Sequence, residues 1–90
     1  MGKLNGQVAI ITGGARGIGE GICKVFCNEG AMVALWDIMD EGQNTADRIK
    51  DEGGEIIFQN VNVSDQSSVD KAVEKLISEY GKIDILINNA

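Results

Sequence analysis

The sequence predicts an α/β fold with three layers, in which a parallel sheet is covered by helices on both faces. Two observations predict it: apolar runs alternate with segments of helical periodicity along the whole chain, and glycines stand at the connections between them. Strands that are apolar on both sides are typical of a sheet buried on both faces. With right-handed crossovers, we expect the strand order 3-2-1-4 in a single domain of 90 residues.

The first half of the chain predicts two strands, each followed by a helix. The first strand covers residues 8–11, and a helix with one apolar face follows over residues 18–26 until Gly30 stops it. The second strand covers residues 32–37. A more polar helix over residues 40–52 then leads to a pair of glycines.

The second half repeats the pattern and ends on a strand. The third strand is predicted over residues 55–63, after which Ser64 and Asp65 offer caps to a helix. The apolar residues of that helix follow at spacings of three and four as far as Tyr80. The fourth strand, over residues 83–88, would leave one edge of the sheet bare, as in a domain truncated after its fourth strand.

The composition limits the partners of the chain. The net charge of −6 leaves no basic face for nucleic acid or an anionic membrane. Apolar residues make up 43% of the chain and charged residues 24%, which is typical of a globular protein. Because no apolar run is long enough for a signal peptide or a membrane span, we expect the protein in the cytoplasm.

The two cysteines are predicted to be structural. Cys23 and Cys27 lie four residues apart on one helix, where their Cβ atoms point in parallel directions that suit no disulfide. The chain has no histidine, so they cannot complete an ordinary zinc site. We expect two small apolar residues, with no metal and no redox role.

A glycine-rich segment between the first strand and the first helix is the strongest functional signal. Its spacing is Gly13-x-x-x-Gly17-x-Gly19. A strand, a glycine turn and a helix in succession bring backbone N–H groups and a helix N-terminus up to a phosphate. The alternative is a glycine-rich turn without a ligand, and the surrounding strand–helix–strand pattern favours the binding site.

Asp37, at the end of the second strand, is predicted to bind a ribose. Its carboxylate would accept hydrogen bonds from the ribose hydroxyls of a dinucleotide and repel a 2′-phosphate, and the adjacent Ile38 offers no compensating cation. We therefore expect NAD to be preferred over NADP. Asp37 could instead be an ordinary turn residue, and Arg16 could either meet a 2′-phosphate or lie solvated over the adenine ribose.

Together these segments resemble a known family. The glycine turn from Thr12 to Gly19, Asp37, residues 61–65 and the terminal Asn-Asn-Ala are similar to the N-terminal half of the short-chain dehydrogenases/reductases. The resemblance implies a Rossmann-type fold and an NAD(P)-dependent interconversion of an alcohol and a carbonyl. Within the family, the pattern is similar to the 3-oxoacyl-carrier-protein reductase and the glucose or hydroxysteroid dehydrogenase groups.

The resemblance also implies which residues bind the cofactor. The pyrophosphate and the adjacent ribose would be held by Gly13, Arg16, Gly17, Ile18 and Gly19, and residues 62 and 63 would contact the adenine. Where the family usually has Asp, this chain has Asn62, whose amide oxygen can still accept from the adenine amino group. The candidate cofactor-binding residues are Gly13, Arg16, Gly17, Ile18, Gly19, Asp37, Ile38, Asn62, Val63, Asn89 and Ala90.

The same resemblance places the catalytic residues elsewhere. The serine and the Tyr-x-x-x-Lys pair of the family lie further downstream, so the chain carries no catalytic residue. Tyr80 and Lys82 are two positions apart, and Tyr80 continues the apolar stripe of its helix. We expect the cofactor-binding part of a dehydrogenase that is inactive alone and forms a homotetramer when complete. The alternative is a non-catalytic nucleotide-binding half-domain, or a truncated module that pairs with another chain through the bare strand.

Overall fold

A computed structural model describes residues 2–89 of the chain and places them in an alternating series of strands and helices. Adjacent strands are parallel, and their order across the sheet is β3-β2-β1-β4, so the predicted topology is confirmed. The elements are β1 (Val8–Thr12), α1 (Gly17–Asn28), β2 (Met32–Asp37), α2 (Glu41–Asp51), β3 (Glu55–Asn60), α3 (Gln66–Tyr80) and β4 (Ile85–Ile87).

Two of the predicted strands are shorter in the structure. The third ends at Asn60 instead of residue 63. The Val61 N–H makes the last bond to β2, at the Asp37 carbonyl oxygen, and a turn at Asn62, whose Oδ1 accepts from the Ser64 N–H, then takes the chain out of the sheet. The fourth covers Ile85–Ile87 instead of residues 83–88. Its start is fixed by Asp84, whose N–H donates to the Val8 oxygen and whose carboxylate accepts from the Val8 N–H at 2.9 Å.

The sheet separates two apolar cores, because successive residues of a strand point to opposite faces. In β1, Ile11 faces α1 and α2, and Ile10 faces α3. The core on the side of α1 and α2 contains Ile11, Cys23, Ala31, Val33, Leu35, Ala46, Ile49 and Ile56. The core on the side of α3 contains Ile10, Ala34, Trp36, Val61, Ala72 and Leu76, with Tyr80 packed against it as predicted.

A hydrogen-bonded glutamine joins β2, β3 and α3 within the second core. The indole Nε1 of Trp36 donates to Gln59 Oε1 at 2.7 Å, and Gln59 Nε2 donates to the Ala72 carbonyl oxygen at 3.2 Å. Trp36 is buried. Its polar edge is therefore satisfied without access to water.

Helix α3 begins and ends with the predicted residues. Of the two candidate caps, Asp65 is the N-cap, and its carboxylate accepts from the Ser67 N–H at 3.0 Å. Gly81 ends the helix in the left-handed region, with φ of 83°. Among the described helices, none combines the length and apolar character that a membrane span requires.

Both thiols are free and shielded, which agrees with the predicted absence of a disulfide. Burial raises the pKa of Cys23 to about 12 and the pKa of Cys27 to about 11. The attacking species in thiol exchange is the thiolate, so at pH 8 the native thiols should react with an aromatic disulfide reagent about 100-fold more slowly than those of the unfolded chain. The rate should rise with pH towards 11. If the thiols react at the same rate before and after unfolding in urea, Cys23 and Cys27 are not shielded by the fold.

Candidate functional site

The glycine turn connects the end of β1 to α1 and is bonded to the neighbouring strand. The N–H groups of Gly13 and Gly14 both donate to the Trp36 carbonyl oxygen, at 2.8 and 3.3 Å. Gly13 and Gly17 have φ of 65° and 62°, a region that side chains with a Cβ rarely adopt. Two of the three motif glycines are therefore required by the backbone conformation of the turn.

The third motif glycine allows the helix to approach the turn. A Cβ placed on Gly19 would lie 2.0 Å from the Gly13 carbonyl oxygen and 2.8 Å from Asn89 Nδ2. No side chain fits at that distance, so only glycine lets the first turn of α1 pack against the start of the motif.

The N-terminus of α1 is open to solvent. Arg16 is its N-cap residue, and within residues 2–89 its side chain makes no capping hydrogen bond. The next residues are exposed, with Ile18 at 77% of its full accessibility. The first N–H groups of a helix carry a partial positive charge and lack partners inside the helix. This end of α1 is thus able to accept an anion.

The Arg16 side chain reaches towards α2. Its guanidinium group lies 3.8 Å from the Glu41 carboxylate, and both side chains are largely exposed. An ion pair this exposed contributes little to stability. The arginine is consequently free to reorient when a ligand binds, which fits either role that the sequence left open.

Asp37 joins the glycine turn to the loop that follows β2. Its Oδ2 accepts from the Ala15 N–H at 3.1 Å, and its Oδ1 accepts from the Met39 N–H at 3.0 Å. Each carboxylate oxygen has a further lone pair, so the group can accept ribose hydroxyls as well. The bond to Met39 is the local turn role that the sequence left open as the alternative, whereas the bond to Ala15 was not predicted. Ile38 beside it is 65% exposed and brings no charge.

A cleft opens between Asp37 and the loop after β3, at the carboxyl ends of the strands. Its volume is about 190 Å³. A larger cleft, of about 350 Å³, lies along the outer edge of β3 and includes none of the predicted residues. Because the smaller cleft includes predicted cofactor-binding residues, it is the candidate site. Its lining is Gly13, Trp36, Asp37, Ile38, Val61, Asn62, Val63 and Ser64.

Asn62 lies in this cleft with its amide oxygen already used. Its Oδ1 accepts from the Ser64 N–H at 2.9 Å, and its own N–H donates to Ser68 Oγ at 3.1 Å. The expected acceptor for an adenine amino group thus also closes a local turn. Val63 is half-exposed at the rim of the cleft.

Asn89 contacts the glycine turn from the far side of β1. Its N–H donates to Thr12 Oγ1 at 2.8 Å, and its side-chain amide donates to the Gly13 carbonyl oxygen at 3.3 Å. The structure thus brings Asn89 to the glycine motif. Ala90, predicted beside it, lies outside the described residues.

The sequence did not single out Thr45, although it contacts the glycine turn. Thr45 lies on α2, is 1% exposed, and donates its hydroxyl hydrogen to the Ala15 carbonyl oxygen at 2.5 Å. The sequence feature that could have identified Thr45 is its position on the inward face of the helix, beside the inward residues Ala46 and Ile49.

Comparison with known proteins gives consistent results. The family model described as short chain dehydrogenase matches residues 7–90. An oxidoreductase, UcpA of Salmonella typhimurium, is 46% identical over 90 residues, which are all of this chain and 34% of that protein. A 3-oxoacyl-[acyl-carrier-protein] reductase, FabG of Chlamydia pneumoniae, is 44% identical over 88 residues, which are 97% of this chain and 36% of that protein.

Solved structures agree with the sequence relatives. A hydroxysteroid dehydrogenase from Escherichia coli superposes with a TM-score of 0.92 at 36% identity, over 97% of this chain and 37% of its own. A second structure, described as a putative short-chain dehydrogenase/reductase from Burkholderia xenovorans, superposes with a TM-score of 0.93 at 32% identity, over 99% of this chain and 38% of its own. The chain spans about a third of the length of the curated relatives it matches.

Proposed function

Because the chain belongs to the short-chain dehydrogenase family, we propose that residues 1–90 form the N-terminal portion of the NAD(P)-binding domain of an NAD(H)-dependent dehydrogenase. The complete enzyme would interconvert an alcohol and a carbonyl by hydride transfer to or from the nicotinamide, which supplies the redox chemistry. The chain's part is to bind and orient the cofactor, and it contributes no catalytic residue. A homotetrameric assembly and a cytoplasmic location belong to the same proposal.

The observation that carries the proposal is the placement of Asp37 beside the open end of α1. A phosphate group at the glycine turn would meet the helix N-terminus and the exposed backbone N–H groups of Gly17 and Ile18. From there the adenosine ribose would lie over β2, within reach of the Asp37 carboxylate. The adenine would then enter the cleft beside Asn62 and Val63.

The charge of Asp37 supports NAD over NADP. A 2′-phosphate would bring negative charge next to the carboxylate, in a cleft partly closed to water where repulsion is strong. Ile38 adds no cation there, and Asp37 would lie closer to the 2′ position than Arg16. The proposed pyrophosphate site comprises Gly13, Arg16, Gly17, Ile18 and Gly19, and Asn89 with Ala90 would border the cofactor beyond β4.

Calorimetric titration of the full-length protein with NADH and with NADPH tests the proposal. We expect NADH to bind at least about 10-fold more tightly, which is a difference of roughly 1.4 kcal/mol. Tighter binding of NADPH would refute the ribose role of Asp37. If neither NADH nor NADPH binds, the proposed function is wrong.

A second candidate is a non-catalytic nucleotide-binding module that pairs with another chain. The position of β4 favours it, since β4 is an edge strand of the described sheet, its Leu86 is 61% accessible, and an apolar strand edge invites pairing. Turnover distinguishes the two functions: the dehydrogenase oxidises or reduces added alcohols or carbonyls with NAD(H), and the module binds the dinucleotide without consuming it.

A further inference from the structure

Ala15 is the residue at which the protein holds the glycine turn. It is 1% exposed, and both of its backbone polar groups are bonded to side chains from other elements. Its N–H donates to Asp37 Oδ2 at 3.1 Å, and its carbonyl oxygen accepts from Thr45 Oγ1 at 2.5 Å. The next three residues of the motif are exposed. The inner side of the turn is thus fixed by the fold, and the outer side faces solvent.

The hydroxyl of Thr45 has only one possible orientation. A carbonyl oxygen only accepts and a guanidinium group only donates, so the single hydroxyl hydrogen must point to Ala15. Arg48 Nη2 donates to the same hydroxyl oxygen at 3.3 Å and to the Glu20 carboxylate of α1 at 3.1 Å. A chain of hydrogen bonds therefore runs from α1 through α2 to the turn.

Packing does not account for a hydroxyl at this position. Thr45 lies on the inward face of α2 beside Ala46 and Ile49, which belong to the core between the helices and the sheet. Valine has nearly the same shape and would fill the same space without burying a polar group. What valine cannot do is bond to the Ala15 carbonyl oxygen.

We propose that Thr45 is a positioning residue for the dinucleotide. By fixing the Ala15 peptide before the ligand arrives, it aims the N–H groups that follow at the place of the pyrophosphate, and less ordering is left to binding. The inference rests on the proposed function, because it concerns the same glycine turn. Thr45 itself would touch no part of the cofactor.

The test compares two substitutions at Thr45 in the full-length protein. The ligands are ADP-ribose, which carries the pyrophosphate, and adenosine, which does not. We expect Thr45→Val to weaken ADP-ribose binding about 10-fold, the effect of losing one buried hydrogen bond. Adenosine binding, measured by competition, should change less than about 2-fold. Thr45→Ser keeps the hydroxyl and should restore ADP-ribose affinity to within about 3-fold of the parent.

The control variant is Ile49→Val, one turn further along α2. Ile49 is buried in the same core, and its hydrocarbon side chain cannot hydrogen-bond to the turn, so the smaller side chain should lower the unfolding midpoint in urea and leave the affinity for ADP-ribose unchanged. Equal weakening by Ile49→Val and Thr45→Val would attribute the effect to general loss of stability and overturn the proposal.

The two proposals fail in different ways. If the parent protein does not bind ADP-ribose, the proposed function is wrong, and the positioning role falls with it. If the parent binds and Thr45→Val binds equally well, the turn does not depend on the hydroxyl, and only the positioning role is refuted. Equal weakening of adenosine and ADP-ribose would also refute it, because Thr45 would then act on the whole cleft.

Discussion

Replacing Asp37 with asparagine should weaken NADH binding roughly 30-fold and leave NADPH binding unchanged or tighter. A carboxylate that accepts two ribose hydroxyls makes charge-assisted bonds, each about 1 kcal/mol stronger than a neutral bond, and about 2 kcal/mol corresponds to this factor. The same change removes the repulsion of a 2′-phosphate. The ratio of the two dissociation constants, measured by calorimetry, is the quantity to follow.

Asparagine is a sharper test than alanine because Asp37 also holds the turn. The carboxylate accepts from the Ala15 and Met39 N–H groups, and asparagine retains one of these two acceptors. Asp40→Asn is the matched control: it removes one charge three residues away. The Asp40 side chain makes no capping hydrogen bond, and the amide oxygen of asparagine could still accept from Asn60 Nδ2. If both variants change the ratio of the NADH and NADPH dissociation constants equally, the effect comes from net charge, and the ribose role of Asp37 is wrong.

Replacing Gly19 with alanine should abolish measurable dinucleotide binding and destabilise the fold by about 1–3 kcal/mol, the usual range for overpacking. The added Cβ would lie 2.0 Å from the Gly13 carbonyl oxygen. The neighbour is backbone, so the clash is relieved only if the turn and the start of α1 move apart. Titration with NADH and equilibrium unfolding in urea measure the two effects.

Gly21 on the same helix offers the control. A Cβ there meets no atom within 4 Å, and alanine is the better helix former by about 0.5–1 kcal/mol. Gly21→Ala should therefore stabilise the protein slightly and bind NADH with unchanged affinity. Unimpaired binding by the Gly19 variant would show that the close approach of helix and turn is not needed at this site.

The fold was predictable because the two inner strands of the sheet, β1 and β2, are apolar on both faces. In β2, Val33 and Leu35 supply one core, and Ala34 and Trp36 supply the other. That pattern requires helices on both faces, and right-handed crossovers in the Rossmann-type arrangement then give the strand order 3-2-1-4. The end of β3 was not predictable in this way, since the alternation of residues 61–63 continues like a strand and only the turn closed by Asn62 ends it.

The parts of the candidate site that depend on the conformation of neighbouring residues were predictable from the sequence. The contacts between residues far apart in the chain were not. A glycine at position 17 indicates a backbone conformation with positive φ within its own turn. The bond between Asp37 and Ala15 joins residues 22 positions apart, and Thr45 reaches the same residue from 30 positions away. Such contacts leave no spacing in the sequence, because they arise only when two helices and two strands meet.

The amide of Gln59 gives helix α3 a fixed longitudinal position. Apolar contacts lack direction, whereas a hydrogen bond fixes the relative position of its donor and acceptor. Gln59 presents its oxygen to the indole of Trp36 and its nitrogen to the carbonyl of Ala72, and a displaced helix would lose the second bond. The segment between β3 and α3 is therefore anchored at both ends, and a half-buried amide that lies outside the cleft beside Asn62 helps to set the shape of that cleft.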